Sequence, residues 1–336
     1  MAADESNSAL RAWAASAEPE RWTALEAATR VLRARQGKGL SPFDGDLTSL
    51  VDLTAKRFGP NHVWSASRLE TYRSCPFHFF TQNVLVLEPR PDTVEGLDVR
   101  QRGTIYHRIL EHVYRKAADP TDVDALLAAL PAVAQQVLDE APDREGFRAT
   151  AWWAQTRAEI VETIRQSLKA LAELPNEFRP IGFEERFWGD QELSIHAAEG
   201  AGAFRLHGVV DRIDRTADGR LRVIDYKTGG PSAFTPRDLE KGKKLQLPLY
   251  ALAARDALRL GVPVDGFYWH VQQAKPSEFT LASDAEAAMT RAAAYAWEAV
   301  DGARHGRFTP RPPDSGCPDY CPAARFCWRY RPAYHE

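Results

Sequence analysis

A six-residue stretch near the middle of the chain constrains the fold more than any other. Residues 224–229 read IDYKTG, and the apolar run LRVI at residues 221–224 indicates the end of a β-strand. Because side chains two apart on a strand point to the same side, Asp225 and Lys227 are expected to lie next to each other. An acid and an ammonium group at one point are an arrangement that can hold a metal ion and a water molecule together.

A second strand-like run precedes this stretch and predicts a hairpin. Residues 203–214 read AFRLHGVVDRID, and ADG at residues 217–219 is typical of a hairpin loop. A three-residue loop there places Asp211 opposite Asp225. Two such carboxylates repel each other unless a cation lies between them, and hard divalent ions prefer oxygen ligands. The alternative is a surface hairpin of solvated charges, which a single Asp-x-Lys would favour and the second aspartate disfavours.

Composition places the chain among ordinary globular proteins. It has 336 residues, enough for one large domain or two modest ones, with 44% hydrophobic and 26% charged residues. The net charge of −3 does not by itself indicate a nucleic-acid binder. The start carries acidic residues and no apolar signal region, and the most apolar stretch, residues 125–138, is short and contains Pro131. We therefore expect a cytoplasmic protein without a membrane span.

Helical patterns surround the two strands. Residues 1–62 are predicted to form a helical prefix with a partly disordered start. Apolar residues at helical spacing predict a helix over residues 104–115, which carries His107. Residues 117–176 are predicted to be helical, with one segment interrupted by Pro131. A single helical histidine is more often structural than a ligand, so His107 alone decides nothing.

Five motifs of the chain are shared with one group of proteins. They are GVVDRID and IDYKTG in the hairpin, GTIYH at residues 103–107, QLPLY at residues 246–250, and a set of four cysteines. Together they resemble the RecB-like branch of the PD-(D/E)XK nuclease superfamily. Within that branch the chain is most similar to the C-terminal iron-sulfur nuclease domain of AddB-type helicase-nuclease subunits.

This resemblance implies a fold and a domain organisation. The fold is α/β, with a restriction-endonuclease-like central mixed sheet flanked by helices. Residues 63–336 are the expected nuclease domain, residues 117–176 are its helical insertion, and residues 316–328 hold a C-terminal cysteine cluster. An iron-sulfur staple is expected to join the N- and C-terminal parts of the domain.

The resemblance also implies roles for individual residues. The implied ligands of Mg2+ or Mn2+ are His107, Asp211, Asp225 and the carbonyl oxygen of Tyr226. Lys227 is expected to orient the attacking water and to help deprotonate it, while the ion lowers the pKa of that water and offsets the charge that grows on the phosphate.

Further residues are expected beside this centre. Gln246 and Tyr250 lie four apart on one helix face; they could satisfy each other, but in the family this motif contacts nucleic acid. A family carboxylate corresponds to Glu184 or Glu185, and the sequence leaves the strand register open. The candidate phosphate contacts are Lys241, Lys243 and Lys244.

The cysteines predict a second metal centre. Cys317, Cys321 and Cys327 form C-x3-C-x5-C, and Cys75 lies far upstream. In a cytoplasmic chain this usage favours a metal site over disulfides. Structural zinc usually takes two short cysteine pairs, so the one-plus-three split favours an iron-sulfur cluster over zinc. The resemblance implies a 4Fe-4S cluster.

The sequence thus predicts a Mg2+- or Mn2+-dependent deoxyribonuclease. The expected activity is exonucleolytic, on single-stranded or unwound DNA, in DNA repair and recombination or in phage defence. The chain has no GxxxxGK[S/T] run for ATP, so helicase action would require a partner chain. The alternative is a non-catalytic iron-sulfur module that binds DNA and supports a helicase, against which the intact Asp, Asp, Lys and His set weighs.

Overall fold

The computed structural model describes residues 2–37, 39–88, 96–175, 177–197, 202–230, 234–314 and 316–332. The outer ends of the predicted domains, residues 1 and 336, lie outside the described residues. The helices are α1 (Ala2–Ala17), α2 (Pro19–Gln36), α3 (Val51–Arg57), α4 (Ala66–Ser74), α5 (Pro76–Phe79), α6 (Val99–Lys116), α7 (Val123–Glu145), α8 (Trp153–Ala172), α9 (Pro236–Glu240), α10 (Gln246–Leu252) and α11 (Ala285–Arg304). The strands are β1 (Val63–Ser65), β2 (Arg179–Phe187), β3 (Leu193–His196), β4 (Ala203–Arg215), β5 (Arg220–Lys227), β6 (Val262–His270) and β7 (Lys275–Thr280).

The strands form one mixed sheet, and the predicted central mixed sheet flanked by helices is confirmed. The main order is β1-β4-β5-β6-β7, and β2 and β3 also pair with β4. The β1–β4 and β5–β6 pairs are parallel, whereas the other pairs are antiparallel. Strand β4 has 13 residues, and this length lets different partners pair with its two ends. Its C-terminal half is therefore held on both sides, by β2 and by β5.

Helices cover both faces of the sheet because strand β5 is apolar on both sides. Val223 belongs to the core that packs against α4, α10 and α11, and Ile224 belongs to the core formed with α6, α7 and α8. Alternation along the strand places Asp225 and Lys227 on the side of Val223. The two charged side chains thus emerge where β5 ends, toward α10.

The hairpin between β4 and β5 has the predicted register. The paired residues run from Arg215 and Leu221 to Arg212 and Ile224. Gly219 takes the left-handed conformation in the loop, with φ of +87°. The next step in this register places Asp211 opposite Asp225, as the loop length predicts.

The predicted interruption at Pro131 is wrong, because α7 continues through it from Val123 to Glu145. An interior proline removes one helical hydrogen bond and costs about 3 kcal/mol. Leu130, Val133 and other side chains of α7 are almost completely buried against α6 and α8. Each such side chain contributes about 1.5–3 kcal/mol on burial, which offsets the cost of the proline.

The N-terminal segment is helical from its first described residue. Where the sequence favours a partly disordered start, the structure has α1, which packs against α2. Farther along, Phe58 is buried in the main core, and the Thr54 hydroxyl donates a hydrogen bond of 2.8 Å to the carbonyl of Arg304. The boundary at residue 62 stays a prediction. No helix in the described ranges has both the length and the apolar character needed to cross a bilayer.

Candidate active site

Helix α6 and strands β2 and β4 bring three potential metal ligands together. The Nδ1 atom of His107 lies 3.4 Å from Oδ1 of Asp211 and 3.5 Å from Oε1 of Glu184. The other ring nitrogen, Nε2, lies 3.1 Å from the carbonyl oxygen of Tyr226. One ligand atom from each of the three side chains fits within 4.8 Å, so a single cation can contact all three.

The local sequence explains how α6 presents His107. Asp98 caps the helix by accepting a hydrogen bond from the Gln101 amide at 2.7 Å, and the Gln101 side chain accepts one in return from the Asp98 amide. Ile105 and Ile109 belong to the buried stripe of the helix. His107 lies two residues from each of them, so its side chain points away from these two, and its Nε2 atom faces the Tyr226 carbonyl at the end of β5.

Strand β2 directs Glu184, and not Glu185, into the site. Glu184 has a φ of +51°, a left-handed conformation that non-glycine residues rarely adopt. This places its carboxylate beside His107, whereas the Glu185 side chain accepts a hydrogen bond of 3.3 Å from the Phe183 amide. Such a conformation costs on the order of 1–3 kcal/mol and is often found at functional sites. The register question that the sequence leaves open is thereby answered.

Asp225 and Lys227 form a pair next to this group. The Nζ atom of Lys227 lies 2.5 Å from Oδ2 of Asp225 and donates a 2.9 Å hydrogen bond to Oε1 of Gln246. Asp225 is 1% exposed; its Oδ2 atom pairs with Lys227, and its Oδ1 atom has no hydrogen-bond donor within the described residues. A buried carboxylate oxygen without a donor is costly unless a cation approaches it. The donor set of carboxylates, imidazole and carbonyl oxygen fits a hard divalent ion.

The charges of these groups depend on one another. Burial disfavours protonated His107, but the carboxylates of Asp211 and Glu184 outweigh it and raise the pKa of His107 well above its usual value. Burial likewise opposes ionisation of Asp211, yet His107 and Lys227 hold its pKa below the usual range. Burial raises the pKa of Asp225 to about 7 against the effect of Lys227, and the charge of Asp211 adds to the increase. Lys227 has a raised pKa because Asp225 and Asp211 outweigh its burial, so it is an ammonium at neutral pH.

Helix α10 supplies Gln246 and Tyr250 on the same side of the site. Tyr250 is 8% exposed, and its ring packs edge-on against Phe187 with centroids 5.6 Å apart. Gly208 of strand β4 makes room for this ring, since a Cβ atom there would lie 2.9 Å from it. Gln246 and Tyr250 also share a side-chain hydrogen bond, so they do contact each other, and the contact of this motif with nucleic acid stays a prediction.

Comparison with known proteins assigns the family. The family model described as the PD-(D/E)XK nuclease superfamily matches residues 63–328. The chain belongs to this superfamily. The predicted membership is therefore confirmed over most of the sequence.

Several curated relatives of this PD-(D/E)XK chain are named as one subunit of an ATP-dependent helicase/deoxyribonuclease. The protein from Moorella thermoacetica is 34% identical over 208 residues, which is 57% of this chain and 18% of the relative. The Oenococcus oeni protein is 31% identical over 252 residues, covering 69% and 21%, and the Carboxydothermus hydrogenoformans protein is 30% identical over 232 residues, covering 65% and 21%. The chain thus spans about a fifth of the length of these relatives.

The predicted lysine contacts lie between α9 and α10 of the PD-(D/E)XK domain. Lys241 and Lys243 are exposed. Lys244 is half-buried, with its Nζ atom 4.7 Å from the centre of the Phe234 ring. These lysines lie in the segment 241–244, and only Leu245 separates this segment from Gln246. The segment therefore leads into the site. Their contact with DNA stays a prediction.

Two residues near the centre were missed by sequence reasoning. Oε1 of Glu70 on α4 accepts hydrogen bonds from the backbone amides of Leu245 and Gln246 at 2.6 and 2.9 Å. His270 is completely buried, and its Nδ1 atom lies 2.8 Å from the carbonyl oxygen of Gly229, just after the IDYKT segment. No local motif indicates these contacts, because in each of them the two partners come from elements that are distant in sequence.

The four cysteines of the PD-(D/E)XK domain form no disulfides and lie near one another. Cys75 follows α4, and it packs with Cys327 against a small cluster that contains Cys321 and Phe77. Burial raises the pKa of the Cys321 thiol, and the neighbouring Cys75 and Cys317 add to the increase. Backbone amides of Arg311 and Arg331 donate hydrogen bonds to the sulfur atoms of Cys75 and Cys317, at 3.3 and 3.4 Å respectively.

Proposed function

We propose that this chain is a metal-dependent deoxyribonuclease that acts as an exonuclease on single-stranded or unwound DNA. The observation that carries the proposal is the grouping of His107, Glu184 and Asp211 next to the buried Asp225–Lys227 pair. The superfamily and the printed names of the relatives support a nuclease role on DNA.

The site has a suitable ligand set for Mg2+ or Mn2+. His107, Glu184 and Asp211 would hold the ion, and Asp225 and the carbonyl oxygen of Tyr226 are proposed as further ligands. In the structure this carbonyl faces Nε2 of His107, whereas the carboxylates of Glu184 and Asp211 face Nδ1. When bound, such an ion acts as a Lewis acid on the phosphate and lowers the pKa of a water molecule.

Lys227 contributes a positive charge beside the reacting phosphate. In the metal-free site the carboxylates of Asp225 and Asp211 outweigh burial and raise its pKa, and with the ion bound it would orient the attacking water and help to deprotonate it. We assign to it the orientation of that water and the stabilisation of the negative charge that develops on the phosphate. Gln246 holds the ammonium group by accepting one of its protons.

We assign a 4Fe-4S cluster to Cys75, Cys317, Cys321 and Cys327, with zinc as the alternative. Structural zinc usually takes two short cysteine pairs, whereas these cysteines are split into one and three along the chain. An iron-sulfur cluster accepts such a split, and this supports a cluster over a single zinc ion. The cluster would connect the end of α4 to the C-terminal segment.

DNA is the proposed substrate, and a helicase chain is the proposed partner. The relatives carry helicase and deoxyribonuclease in one name, while this chain has no GxxxxGK[S/T] run. The proposed location is the cytoplasm, and the proposed processes are DNA repair and recombination or phage defence. Affinity purification from the native cells should recover an ATPase, and repeated failure to do so would contradict the helicase partner.

A cleavage assay tests the central proposal. End-labelled single- and double-stranded DNA is incubated with Mg2+ or Mn2+ and anaerobically purified protein, next to the Lys227→Ala and Asp225→Ala variants. We expect the wild type to cut and both variants to lose cleavage while they keep the fold. Lys275→Ala, an exposed lysine of β7, is the matched control and should cut normally.

The cleavage products distinguish an exonuclease from an endonuclease, and two other results would contradict the proposal. Progressive shortening from one labelled end indicates an exonuclease, whereas scattered internal products indicate an endonuclease. Retained cleavage in Lys227→Ala would overturn the assigned centre. If folded, metal-loaded wild type binds DNA without cutting it, the non-catalytic DNA-binding module replaces the nuclease.

A further inference from the structure

We propose that Glu70 is a positioning residue that holds Lys227 in place through Gln246. The inference rests on the proposed function, since Lys227 matters only if the centre cleaves DNA. It starts from a carboxylate on α4 that contacts the beginning of α10 and not the metal ligands.

Helix α10 begins without a capping side chain of its own. Its N-cap residue is Leu245, which offers no hydrogen-bond acceptor, although the first amides of a helix have no partner within the helix. Oε1 of Glu70 accepts from the amides of Leu245 and Gln246, at 2.6 and 2.9 Å. Glu70 therefore replaces the missing cap from a different element. Because one oxygen atom accepts from both amides, a side chain at position 70 can cap the helix only if it carries a hydrogen-bond acceptor.

This capped turn carries the partner of Lys227. Oε1 of Gln246 accepts a hydrogen bond of 2.9 Å from the Nζ atom of Lys227, which also pairs with the carboxylate of Asp225 and lies 5.5 Å from the centre of the Tyr268 ring. If the first turn of α10 frays, Gln246 moves and Lys227 is left with its contacts to Asp225 and Tyr268. The ammonium group then loses the hydrogen bond to Gln246 that fixes its position in the site.

Helix α4 grips the segment before α10 at a second point. The guanidinium of Arg73 donates to the carbonyl of Lys241 at 3.5 Å, lies 4.5 Å from the centre of the Tyr295 ring and pairs with Glu298. Thus α4 contacts both ends of residues 241–246. The next residue after α4 is Cys75. This one helix therefore leads into the proposed cysteine centre, contacts the segment that carries the three lysines, and acts on Lys227 through Gln246.

The test compares a substitution that removes the acceptor with one that keeps it. Glu70→Ala removes the acceptor, whereas Glu70→Gln removes the charge and keeps an oxygen that can accept from both amides. In steady-state cleavage we expect Glu70→Ala to lower kcat about ten- to a hundredfold with KM for DNA within about twofold. Glu70→Gln should stay within about threefold of wild type. Glu240→Ala, an exposed carboxylate at the end of α9, is the control for loss of charge.

Amide hydrogen exchange gives a readout that does not depend on cleavage. The amides of Leu245 and Gln246 should exchange faster in Glu70→Ala and stay protected in Glu70→Gln and in Glu240→Ala. If wild type does not cut DNA, the proposed function fails, and the exchange pattern still decides whether Glu70 positions α10. The inference is overturned if Glu70→Ala matches Glu240→Ala in both measurements. It is also overturned if Glu70→Gln keeps both amides protected but is as slow as Glu70→Ala, because charge and not position would then be responsible.

Discussion

The Nζ atom of Lys227 lies 2.5 Å from Oδ2 of Asp225, and both groups are next to the buried carboxylate of Asp211. The ammonium of Lys227 and the protonated ring of His107 offset the negative charge of these buried carboxylates. This balance of charges determines how the site should respond to substitution, to pH and to metal.

Asp225→Asn should abolish cleavage and stabilise the metal-free protein at pH 8. Burial raises the pKa of Asp225 from 3.8 to about 7, so the folded protein favours the neutral carboxyl group. The contribution of this group to stability is therefore fully present below pH 3.8 and is lost as pH rises through 7. Asparagine stays neutral, so we expect a gain on the order of 2 kcal/mol above pH 7 that shrinks at lower pH. Thermal unfolding of both proteins from pH 5 to pH 8 measures it. An equal or lower melting temperature for the variant at pH 8 would contradict the buried charge.

Metal binding should release protons from the site. The pKa of His107 lies well above its usual value in the metal-free state, yet an imidazole must be neutral to coordinate a metal. We expect about one proton or more to be released per Mn2+ bound at pH 7, and metal affinity to increase with pH. Calorimetry in buffers of different ionisation enthalpy counts the protons. His107→Asn should lower the count by about one, and an unchanged count would exclude His107 as the source.

Glu184 and Glu185 form a matched pair for testing the ligand set. Only Glu184 faces His107, whereas Glu185 accepts a hydrogen bond from the backbone of its own strand. Glu184→Ala should raise the Mn2+ concentration needed for half-maximal cleavage by about tenfold or more, while Glu185→Ala leaves it within about twofold. Cleavage titrated with Mn2+ measures the difference, and equal effects of the two substitutions would remove Glu184 from the ligand set.

Cys321→Ser should lower the stability of the whole domain. Cys321 is buried beside Phe77, at a place where the C-terminal segment meets the end of α4, and a link there closes a very long loop. Anaerobically purified wild type should contain about four iron atoms per chain. The variant should lose iron and unfold several degrees lower. Zinc in place of iron would identify the alternative metal.

The domain should lose stability as pH falls from 6.5 to 4, in part because of His62. Burial lowers the pKa of His62 to about 4, and Arg68 and Arg57 act in the same direction. The unfolded chain takes up a proton near pH 6.5, so this contribution is present above 6.5 and is lost on the way to 4. His62→Phe should retain the ring contacts with Phe58 and Trp64 and show a shallower decline. Urea unfolding at a series of pH values tests this, and parallel curves would contradict it.

The sequence by itself determined the hairpin and the pair of aspartates at its end. Alternation along β5 and the short loop at Gly219 depend on neighbouring residues only, so the step that places Asp211 opposite Asp225 follows from local rules. Together with GTIYH, QLPLY and the four cysteines, this hairpin predicted the superfamily, and with it the central mixed sheet.

Tertiary structure alone decided which other groups join these aspartates. Glu184 faces His107 because its backbone adopts a left-handed conformation that the packing of β2 on β4 must maintain. Helix α7 passes through Pro131 because burial against α6 and α8 outweighs the local cost. Glu70 reaches α10 because α4 and α10 pack against each other across 175 positions of sequence. Such contacts depend on free energies summed over distant elements, and no local pattern contains them.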